Sequence, residues 1–556
     1  MILRKKEPKN FRGSRFNIKD FREKIEAIDE SSYTTITFDF FDTLVFRKSI
    51  THFSGWKRVS LGFFYNRLLA EVLARVVGRA QGRPEIRMQD IYRYMLPIWN
   101  PSLEIEMEEE NLAPNPLLRE IYNQLSSQGK RILVISDTHF DSATIANWLK
   151  KFGYRDSAIL TSQEFLKTKS TGLYEEIHSR FQIPYSNWLH IGDNIRSDIE
   201  SAERLGIRAL YYPKLMDQLV SLDLLSRRGV RKLRKFGELE FAASTYLRQT
   251  ICVSLPESTS QIDNSLQLLG LFVGGPVSRA ISDRIHDEHL LHQFDRILFS
   301  SRDGWLPYQW HSRLYPDDPI QYFKTSRAMI SSELFPNYVK ATIQDSNRVA
   351  LFDIGWRGST LNFVSNHFPE IYWQGYFLQI RNRRLVGATY LTSSCAFRTT
   401  IWRARDFVEL IFSDLSNGYD SLTHDLIPVE RVQLPSDSKR MVILKGSIQS
   451  IELSLPVLNL EQSSFLLYLF CQFPSIKLSK ALENEKHEIR EGADDFLVTN
   501  SWSRLFSKNR VMWPASARLG KSEWLFDKFI FRLIVFVKEL FQRLINLYNL
   551  FSFKIH

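Results

Sequence analysis

The stretch ITFDFFDTLV, residues 36–45, decides the fold of the amino-terminal part of this chain. Its apolar start predicts a buried β-strand, which ends abruptly in the carboxylates of Asp39 and Asp42 and the hydroxyl of Thr43. Proteins with open parallel sheets bind their ligands at the carboxyl ends of the strands. We therefore expect Asp39 at the carboxyl edge of a parallel sheet, where it is available for chemistry.

Three later segments place further polar groups in a similar way. Two of them are apolar runs that end in a hydroxyl or in carboxylates, and one carries a lysine three residues before a glycine. They are ILVISD (residues 132–137), KSTGLY (169–174) and WLHIGDNIRSD (188–198). The alternation of such strands with helical patterns over residues 31–215 indicates a parallel sheet covered by helices on both faces.

The polar groups of these segments suit phosphoryl chemistry if they converge. Asp39, Asp193 and Asp198 would bring together three carboxylates, which repel by about 4 kcal/mol per pair at about 4 Å and an effective dielectric constant near 20. A divalent cation relieves this repulsion, and an all-oxygen ligand set suits Mg²⁺, which also leaves room for a phosphate oxygen. Ser136 and Lys169 would then donate to the other phosphoryl oxygens, which is the positioning that phosphoryl transfer needs.

In this order the segments resemble the four motifs of the haloacid dehalogenase (HAD) superfamily, over about residues 31–215. The resemblance implies a Rossmann-like parallel sheet with a helical cap, Mg²⁺ as the cofactor, and a hydrolase of the phosphatase class. Asp39 would be the nucleophile and form an aspartyl-phosphate. The implied metal ligands are Asp39, the backbone carbonyl of Phe41, Asp193 and Asp198, the last of which supports the metal shell or holds Lys169.

The resemblance also implies roles for the residues around the nucleophile. The implied catalytic set is Asp39, Asp42 and Lys169, and the implied substrate-binding set is Thr43, Ser136, Asp137 and Lys169. Lys167 is close enough in sequence to compete for the lysine role, but Lys169 followed by Gly172 fits the family pattern better.

One position departs from the pattern of the family's phosphatases. They usually carry a second aspartate two residues after the nucleophile as the general acid/base, whereas this chain has Phe41 there and Asp42 one residue later. A phenylalanine cannot relay a proton, so Asp42 swings in, the acid/base comes from elsewhere, or the reaction is not simple phosphomonoester hydrolysis. Dehalogenases also lack this aspartate, but they lack the full Gly-Asp-x-x-x-x-Asp of residues 192–198 too. We therefore favour metal-dependent phosphoryl chemistry, with binding of a phosphorylated ligand without turnover as the alternative.

Composition and periodicity predict further parts of this 556-residue chain. A helical insertion at about residues 48–125 interrupts the strand pattern, which is where the superfamily places one type of cap. A second α/β domain and a helical carboxyl-terminal region follow a basic linker. The expected parts are a basic lead-in (1–30), the HAD-like domain (31–215), the linker (216–240), the second α/β domain (241–430) and a mostly helical basic region (431–556).

The second domain contains a smaller constellation, DIGWRGST, at residues 353–360. Its glycines allow close approach of a ligand to the backbone, and a helix that begins there would attract an anion. The layout resembles a phosphoribosyltransferase-type core, although the usual acidic pair is reduced to one aspartate. An ordinary turn with a helix cap stays open, as does glycosyl or phosphoribosyl transfer by this domain. The candidate phosphate loop comprises Asp353, Gly355, Gly358, Ser359 and Thr360.

Charge and cysteine content bear on partners and compartment. The net charge is +11, but no nucleic-acid-binding motif is present, so we expect no nucleic-acid partner. The three cysteines lie far apart and the first residues lack a signal peptide, which favours a cytoplasmic location. Residues 524–553 are apolar but interrupted by charges, so they predict either peripheral contact with the inner membrane or a helix packed on the protein's own core.

The first motif, together with RDG at 302–304 and DIGWRG at 353–358, also resembles two-part bacterial HAD-like proteins. These often accompany glycosyltransferases in surface-polysaccharide synthesis. The resemblance implies a small phosphorylated metabolite as the substrate, a sugar phosphate or nucleotide sugar, and a glycosyltransferase as a partner.

Three tempting features have plainer interpretations. We expect His190 to be a core histidine with satisfied hydrogen bonds, and the acidic run Glu104–Glu110 to be a solvated helix face. His139 follows the second motif and is a candidate for substrate contact.

Overall fold

The structure is a computed structural model. The residues that it describes are 21, 23–25, 28, 33–48, 56, 59–233, 237–253, 261–380, 385–391, 400–401, 404–412, 419–430, 439–453 and 455–480. They form two compact units, one that extends to Gln218 and one that begins at Leu219.

The first unit is built on a five-stranded parallel sheet in the order β5-β4-β1-β6-β7. All five strands are short apolar runs, as the sequence predicts. They are β1 (Thr35–Phe38), β4 (Arg131–Ser136), β5 (Ala158–Thr161), β6 (Trp188–Gly192) and β7 (Arg208–Tyr211). Because β1 lies between β4 and β6, the ends of all three motif-bearing strands meet at one edge.

Helices connect these strands. Several begin with a polar cap, as at Asn115, whose side chain accepts a hydrogen bond from the backbone N–H of Leu118 ahead of Pro116 in the first turn. The α-helices of this unit are Leu61–Ala80, Met88–Tyr92, Pro101–Asn111, Pro116–Ser127, Ser142–Lys151, Ser162–Phe165, Leu173–Phe181 and Ser201–Glu203, with 3₁₀ turns at Lys169–Thr171 and Tyr185–Asn187 and a π-helical turn at Ile195–Glu200.

A helical insertion separates β1 from β4. Strands β2 (Val45–Arg47) and β3 (Leu112–Pro114) pair antiparallel at its base, so the chain leaves and re-enters the core at one place. This pairing ends the insertion near residue 111 instead of at the expected 125, because helix Pro116–Ser127 already packs on β4. Trp56, Phe63 and Ile91 are among the residues of a hydrophobic core inside the insertion.

The second unit contains another five-stranded parallel sheet, in the order β12-β11-β10-β8-β9. The prediction of a second α/β domain is therefore confirmed. Its strands are β8 (Arg296–Ser300), β9 (Ile320–Phe323), β10 (Arg348–Trp356), β11 (Tyr372–Ile380) and β12 (Ala388–Tyr390), and an antiparallel pair is formed by β13 (Tyr419–Leu422) and β14 (Pro428–Glu430).

Helices pack around this sheet and also form a layer of their own, which includes the described part of the carboxyl-terminal region. Gly446 allows two of them to approach closely, since a Cβ there would lie 1.8 Å from the backbone oxygen of Gln267. From the unit boundary onward the helices are Leu215–Ser221, Arg227–Lys232, Glu238–Val253, Gln261–Leu269, Gly275–His292, Trp305–Leu314, Arg327–Ile330, Phe335–Ile343, Ser359–His367, Arg405–Phe412, Lys439–Glu452 and Leu460–Gln472, with a π-helical turn at Gly270–Gly274.

Two expectations for the connecting and terminal segments need comment. The expected linker, residues 216–240, is largely packed into the second unit, where Leu224 and Leu225 are buried and Leu225 bridges to Pro474. Among the described residues no helix is long and apolar enough to cross a membrane. The amphipathic segment 524–553 lies outside the described residues.

Candidate active site

Three aspartates meet at the carboxyl edge of the first sheet. Asp39 follows β1, and Asp193 and Asp198 follow β6. Each offers a carboxylate oxygen within 4.8 Å of the others, and all three side chains are buried. The sequence motifs therefore converge as predicted, and they form an all-oxygen donor set of the kind that hard divalent cations bind.

Lys169 closes this cluster from the side. Its ammonium lies 2.5 Å from Oδ1 of Asp39 and 2.5 Å from Oδ1 of Asp198. Its backbone N–H donates to Oδ1 of Asp137 at 2.8 Å, which fixes the turn that presents the lysine. The competing candidate Lys167 instead pairs with Glu176, so the choice of Lys169 agrees with the geometry.

Gly192 is required by the way Asp198 folds back under β6. A Cβ at this glycine would lie 2.5 Å from the Asp198 carboxyl carbon, so any larger residue would push that carboxylate away. The backbone N–H of Asn194 donates to Oδ2 of Asp198 at 2.8 Å. The Gly-Asp-x-x-x-x-Asp spacing thus brings two carboxylates of one loop onto the same site.

Burial and neighbouring charges shift the pKa values of these groups in opposite directions. Burial raises the pKa of Asp193 well above its ordinary value, against the opposing charge of Lys214. Burial also raises the pKa of Asp39, despite the ammonium of Lys169. Asp198 is buried as well, but Lys169 and His190 hold its pKa well below the usual range. Two of the three carboxyl groups thus resist ionisation, and a divalent cation among them would relieve this cost.

Two buried hydroxyl groups of the predicted substrate-binding set have no hydrogen-bond partner among the described residues. They are Oγ1 of Thr43 and Oγ of Ser136, both fully buried. Buried polar atoms are normally hydrogen-bonded, and an exception calls for a ligand or water. Both residues were predicted to bind substrate, and a phosphoryl oxygen is an acceptor that either hydroxyl could satisfy.

Comparison with family models matches residues 36–211 to the haloacid dehalogenase-like hydrolases. Residues 36–211 belong to this family. The predicted family is thus confirmed for the amino-terminal domain, which we call the HAD-like domain. Members of the superfamily generally use a divalent metal, and the three-carboxylate set of Asp39, Asp193 and Asp198 fits one.

Solved structures similar to the chain include three HAD proteins. A HAD phosphatase from Thermococcus onnurineus is 13% identical, with a TM-score of 0.24 over 32% of this chain and 85% of that chain. A HAD family enzyme from Bacteroides thetaiotaomicron is 14% identical, with a TM-score of 0.26 over 33% and 95%. A 2-haloacid dehalogenase from Pseudomonas syringae is 16% identical, with a TM-score of 0.23 over 32% and 86%. Comparison with curated protein sequences gives no match.

The HAD-like domain has an unusual arrangement where its family's phosphatases carry the second aspartate. Phe41 lines the cavity above the cluster, and the guanidinium of Arg47 lies 4.0 Å from the centre of its ring. Asp42 also lines the cavity, in a left-handed backbone conformation with φ of 58°. The carboxylate one residue later is therefore present at the cavity, on a backbone conformation that non-glycine residues rarely adopt.

Lys214 is a site residue that the sequence analysis missed. Its ammonium lies 2.6 Å from Oδ2 of Asp193 and 3.5 Å from Oδ2 of Asp42. It follows β7, which pairs with β6 at the edge of the sheet. Its position at the site therefore depends on how these two strands pair, and no sequence motif includes it. The HAD-like domain thus has two lysines among its carboxylates.

The insertion of the HAD-like domain supplies a wall of paired charges. Arg67 is fully buried and donates to both carboxylate oxygens of Glu104, at 2.6 and 2.9 Å. His139 lies 3.0 Å from the same carboxylate, and Arg47 lies 2.5 Å from Glu108. The expectation of a solvated acidic face is therefore wrong for Glu104 and Glu108, because arginines from other parts of the chain neutralise them.

Arg47, Glu104, Glu108 and His139 line one cavity of about 350 Å³ together with the aspartate cluster. Charged residues of the insertion face it, and His139 lies among them; its contact with a substrate stays a prediction. The wall residues are Arg47, Trp56, Glu71, Arg75, Glu85, Glu104, Glu108 and His139.

His190 is a buried histidine behind the cluster. Its Nδ1 lies 2.8 Å from the hydroxyl of Thr37, and its Nε2 lies 3.5 Å from Oδ1 of Asp198. Burial lowers the pKa of His190, so the neutral ring is favoured. It therefore supports Asp198 from the core side, which goes beyond the expected role of a core histidine.

The candidate phosphate loop of the second unit does not belong to this cavity. Asp353 lies within β10, and Gly355 and Gly358 have positive φ angles of 123° and 66°. Ser359 and Thr360 begin the helix Ser359–His367. The loop therefore has the strand–turn–helix form that the sequence predicts.

Proposed function

We propose that the HAD-like domain is a Mg²⁺-dependent phosphohydrolase. Its substrate would be a small phosphorylated metabolite, a sugar phosphate or nucleotide sugar, and the reaction would pass through an aspartyl-phosphate at Asp39. The observation that carries this proposal is the convergence of three buried carboxylates and Lys169 at one sheet edge. Phosphoryl transfer needs little more from a protein than such positioning and charge neutralisation.

The residues of the cluster would have three roles: nucleophile, metal ligand and neutralising positive charge. Asp39 would attack phosphorus, and Asp39, the carbonyl of Phe41 and Asp193 would hold Mg²⁺, supported by Asp198. When bound, the cation would supply positive charge against the phosphoryl oxygens. Lys169 would neutralise charge on the other side, since it already bridges two carboxylates.

Hydroxyl donors would complete the phosphate site. Thr43 and Ser136 have buried hydroxyls without a partner among the described residues, and each could donate to a phosphoryl oxygen. Donors that are fixed before the substrate arrives stabilise charge in the transition state without further reorganisation.

The cavity wall favours a polar leaving group. Arginines and glutamates of the insertion are held in pairs, as in Arg75 with Glu71 at 2.9 Å and with Glu85 at 3.0 Å. Paired, oriented charges offer both donors and acceptors, which is what hydroxyl groups of a sugar require. The cavity volume of about 350 Å³ suits a small ligand.

Proton transfer is the step in which this chain departs from its family. Asp42 is our candidate for the acid/base, because it lines the cavity and is the nearest carboxylate in sequence to the nucleophile. It lies one residue beyond the position that the family's phosphatases use, and the ammonium of Lys214 lies 3.5 Å from its Oδ2. We therefore expect low turnover compared with phosphatases that carry the second aspartate.

The direct test is phosphate release from a panel of phosphorylated metabolites with the purified chain and Mg²⁺. Asp39→Asn should abolish release, and a chelator should do the same. Asp156→Asn is the matched control, because Asp156 is exposed and outside the cavity. Full activity in Asp39→Asn would overturn the proposal.

Phe41 favours a second candidate function, in which the domain binds a phosphorylated ligand without turnover as part of a polysaccharide-synthesis complex. Phe41→Asp separates the two. If only an acid/base is missing, the variant should raise phosphate release by about 100-fold, the usual size of such a contribution. A Phe41→Asp protein that still binds Mg²⁺ but releases no more phosphate than the wild type would favour ligand binding without catalysis.

A wider set of proposals concerns the setting of the protein. We propose a cytoplasmic location, a glycosyltransferase partner and peripheral contact with the inner membrane through residues 524–553. Liposome flotation of the chain with and without residues 520–556 tests the last of these. Equal flotation of both forms would remove it.

A further inference from the structure

The cavity of the HAD-like domain is lined by more acidic than basic side chains. Among the described residues that line it, nine are aspartates or glutamates and four are lysines or arginines. Three of the nine are Asp39, Asp193 and Asp198, whose charge a divalent cation would largely neutralise. Six carboxyl groups then still face four basic side chains, so the rest of the cavity keeps an excess of negative charge.

The four basic side chains that line the described cavity are already paired. The guanidinium of Arg75 lies 2.9 Å from Oε1 of Glu71 and 3.0 Å from Oε1 of Glu85. Nε of Arg47 lies 2.5 Å from Oε1 of Glu108, and the two lysines contact aspartates of the cluster. A second anionic group on a substrate would therefore have to displace a carboxylate from its partner, which disfavours such a substrate.

Two glutamates of the cavity wall are ionised at neutral pH. Burial opposes ionisation of Glu71, but the charges of Arg67 and Arg75 outweigh it and lower its pKa to about 2. The pKa of Glu104 is also lowered to about 2 against the effect of burial, by Arg67 and by His139, whose Nε2 lies 3.0 Å from Oε1 of Glu104. Even a protonated His139 is thus paired with a carboxylate.

Glu71 is the wall glutamate that a ligand can reach best. Its side chain is 22% exposed, compared with 8% for Glu85, 3% for Glu108 and 1% for Glu104. Each of its oxygens accepts one hydrogen bond from an arginine, and a carboxylate oxygen has room for a second. Glu71 therefore has acceptor capacity left for a positively charged donor.

The volume of the cavity also limits the substrate. About 350 Å³ lies at the lower end of the range of about 300 to 1,000 Å³ that is usual for ligand pockets. A nucleotide sugar brings a second phosphate, a ribose and a base in addition to its sugar, whereas a sugar monophosphate brings one phosphate. Charge and volume thus both favour the smaller ester.

We infer that the substrate of the HAD-like domain is a phosphomonoester whose alcohol carries an amino group, as in an amino sugar phosphate. Its phosphate lies at the aspartate cluster, and its ammonium group is bound by the wall carboxylates, with Glu71 as the main acceptor. Clefts lined by charge of one sign concentrate ligands of the opposite sign. Among the substrates of the proposed phosphohydrolase function, on which this inference rests, the amino sugar phosphate replaces the nucleotide sugar.

Binding to a variant without the nucleophile separates this specificity from catalysis. The full-length Asp39→Asn protein with Mg²⁺ is titrated by calorimetry with glucosamine, glucose and gluconate, each phosphorylated at its terminal hydroxyl group. We expect the amino ester to bind about tenfold more tightly than the neutral ester, the usual scale of one hydrogen bond between charged groups. The carboxylate ester should bind more weakly than both, and the preference should shrink at high ionic strength, because salt screens partly exposed charges.

A second substitution assigns the preference to the cavity wall. Glu71→Gln, combined with Asp39→Asn, should remove most of the preference for the amino ester. Glu203→Gln in the same background is the matched control and should keep it, because Glu203 is exposed and does not line the cavity. An equal preference in the two double variants, with circular dichroism showing that both are folded, would contradict binding of the ammonium group by Glu71.

The order of binding decides the substrate class. Binding of the neutral or the carboxylate ester as tightly as the amino ester would overturn the inference, and so would the absence of measurable binding by all three. Phosphate release from a neutral ester by the wild type would then leave the proposed phosphohydrolase function standing. Conversely, a wild type that releases no phosphate from any ester would overturn that function without changing the order of binding.

Discussion

Two parallel sheets in this chain end in clustered carboxylates, but the charges around the two clusters differ. At the first sheet Lys169 bridges Asp39 and Asp198, and Lys214 pairs with Asp193. At the second sheet burial and Asp303 raise the pKa of Asp353, and a backbone N–H of Gly355 opposes the shift. The first edge therefore carries lysines inside its acidic cluster, whereas the second has basic residues in the loops around it.

This difference bears on what each edge is prepared to do. A lysine between two carboxylates keeps at least one of them ionised, as the lowered pKa of Asp198 shows. Such a site is charged and oriented before its substrate arrives, which suits catalysis. At the second edge the raised pKa of Asp353 means that this carboxyl group carries no such fixed charge below neutral pH.

The largest effect is expected from removing the lysine of the first edge. Lys169→Met should lower phosphate release by about 100- to 1,000-fold, the usual result of losing one fixed positive or donor group from a phosphoryl site. The measurement is the initial rate at saturating substrate and Mg²⁺. Lys167→Met, which removes a partly exposed ion pair with Glu176, should leave the rate unchanged; equal losses in both variants would contradict the special role of Lys169.

Asp353 at the second edge should make the free energy of unfolding depend on pH. A carboxyl group whose pKa is raised in the folded state binds its proton more tightly there, so stability is lost as pH rises from about 4 toward about 7. Each pKa unit corresponds to about 1.4 kcal/mol, which makes the total a few kcal/mol. Asp353→Asn, measured in chelator, should therefore unfold at a higher temperature than the wild type at pH 8.

The same comparison at acidic pH provides the control for Asp353. Near pH 4 the wild-type carboxyl is protonated in the folded protein and resembles the amide, so the two melting temperatures should agree. A stabilisation by Asp353→Asn that is the same at pH 4 and pH 8 would show that Asp353 does not ionise in this range.

Smaller effects are expected from the two unpartnered hydroxyls, which form a matched pair. Ser136→Ala at the first edge and Ser300→Ala at the second should each change the free energy of unfolding by less than about 1 kcal/mol, because neither hydroxyl makes a hydrogen bond to any described residue. Ser136→Ala should also lower phosphate release by about tenfold, whereas Ser300→Ala should leave it unchanged. A large loss of stability in either variant would mean that the hydroxyl has a structural partner.

The sequence predicts the first edge well because its residues follow apolar runs. Asp39, Ser136 and Asp193 each end a buried strand, and the order β4-β1-β6 brings these ends together. A carboxylate at the end of an apolar run can be recognised from the local sequence, without knowing its distant contacts. The same holds for Asp353.

Residues that act through long-range pairing could not be predicted in this way. Lys214 reaches Asp193 from the loop after another strand, and Arg67 neutralises Glu104 across the insertion. Asp303 joins Asp353 only because β8 and β10 are adjacent, although about 50 residues separate them in the sequence. Periodicity and spacing describe one element at a time, so an acidic run such as Glu104–Glu110 is indistinguishable from a solvated face until its partners are known.

The nucleophilic role of Asp39 is tested by the mass of the chain after an acid quench during turnover with Mg²⁺ and a hydrolysed substrate. We expect one added phosphoryl group on the peptide that contains Asp39, and no such adduct in Asp39→Asn. Phe41 in place of an acid/base should favour its accumulation, since breakdown of the aspartyl-phosphate also needs a proton acceptor. Equal rates of phosphate release by the wild type and by Asp39→Asn, with no adduct on that peptide of the wild type, would contradict a nucleophilic role of Asp39.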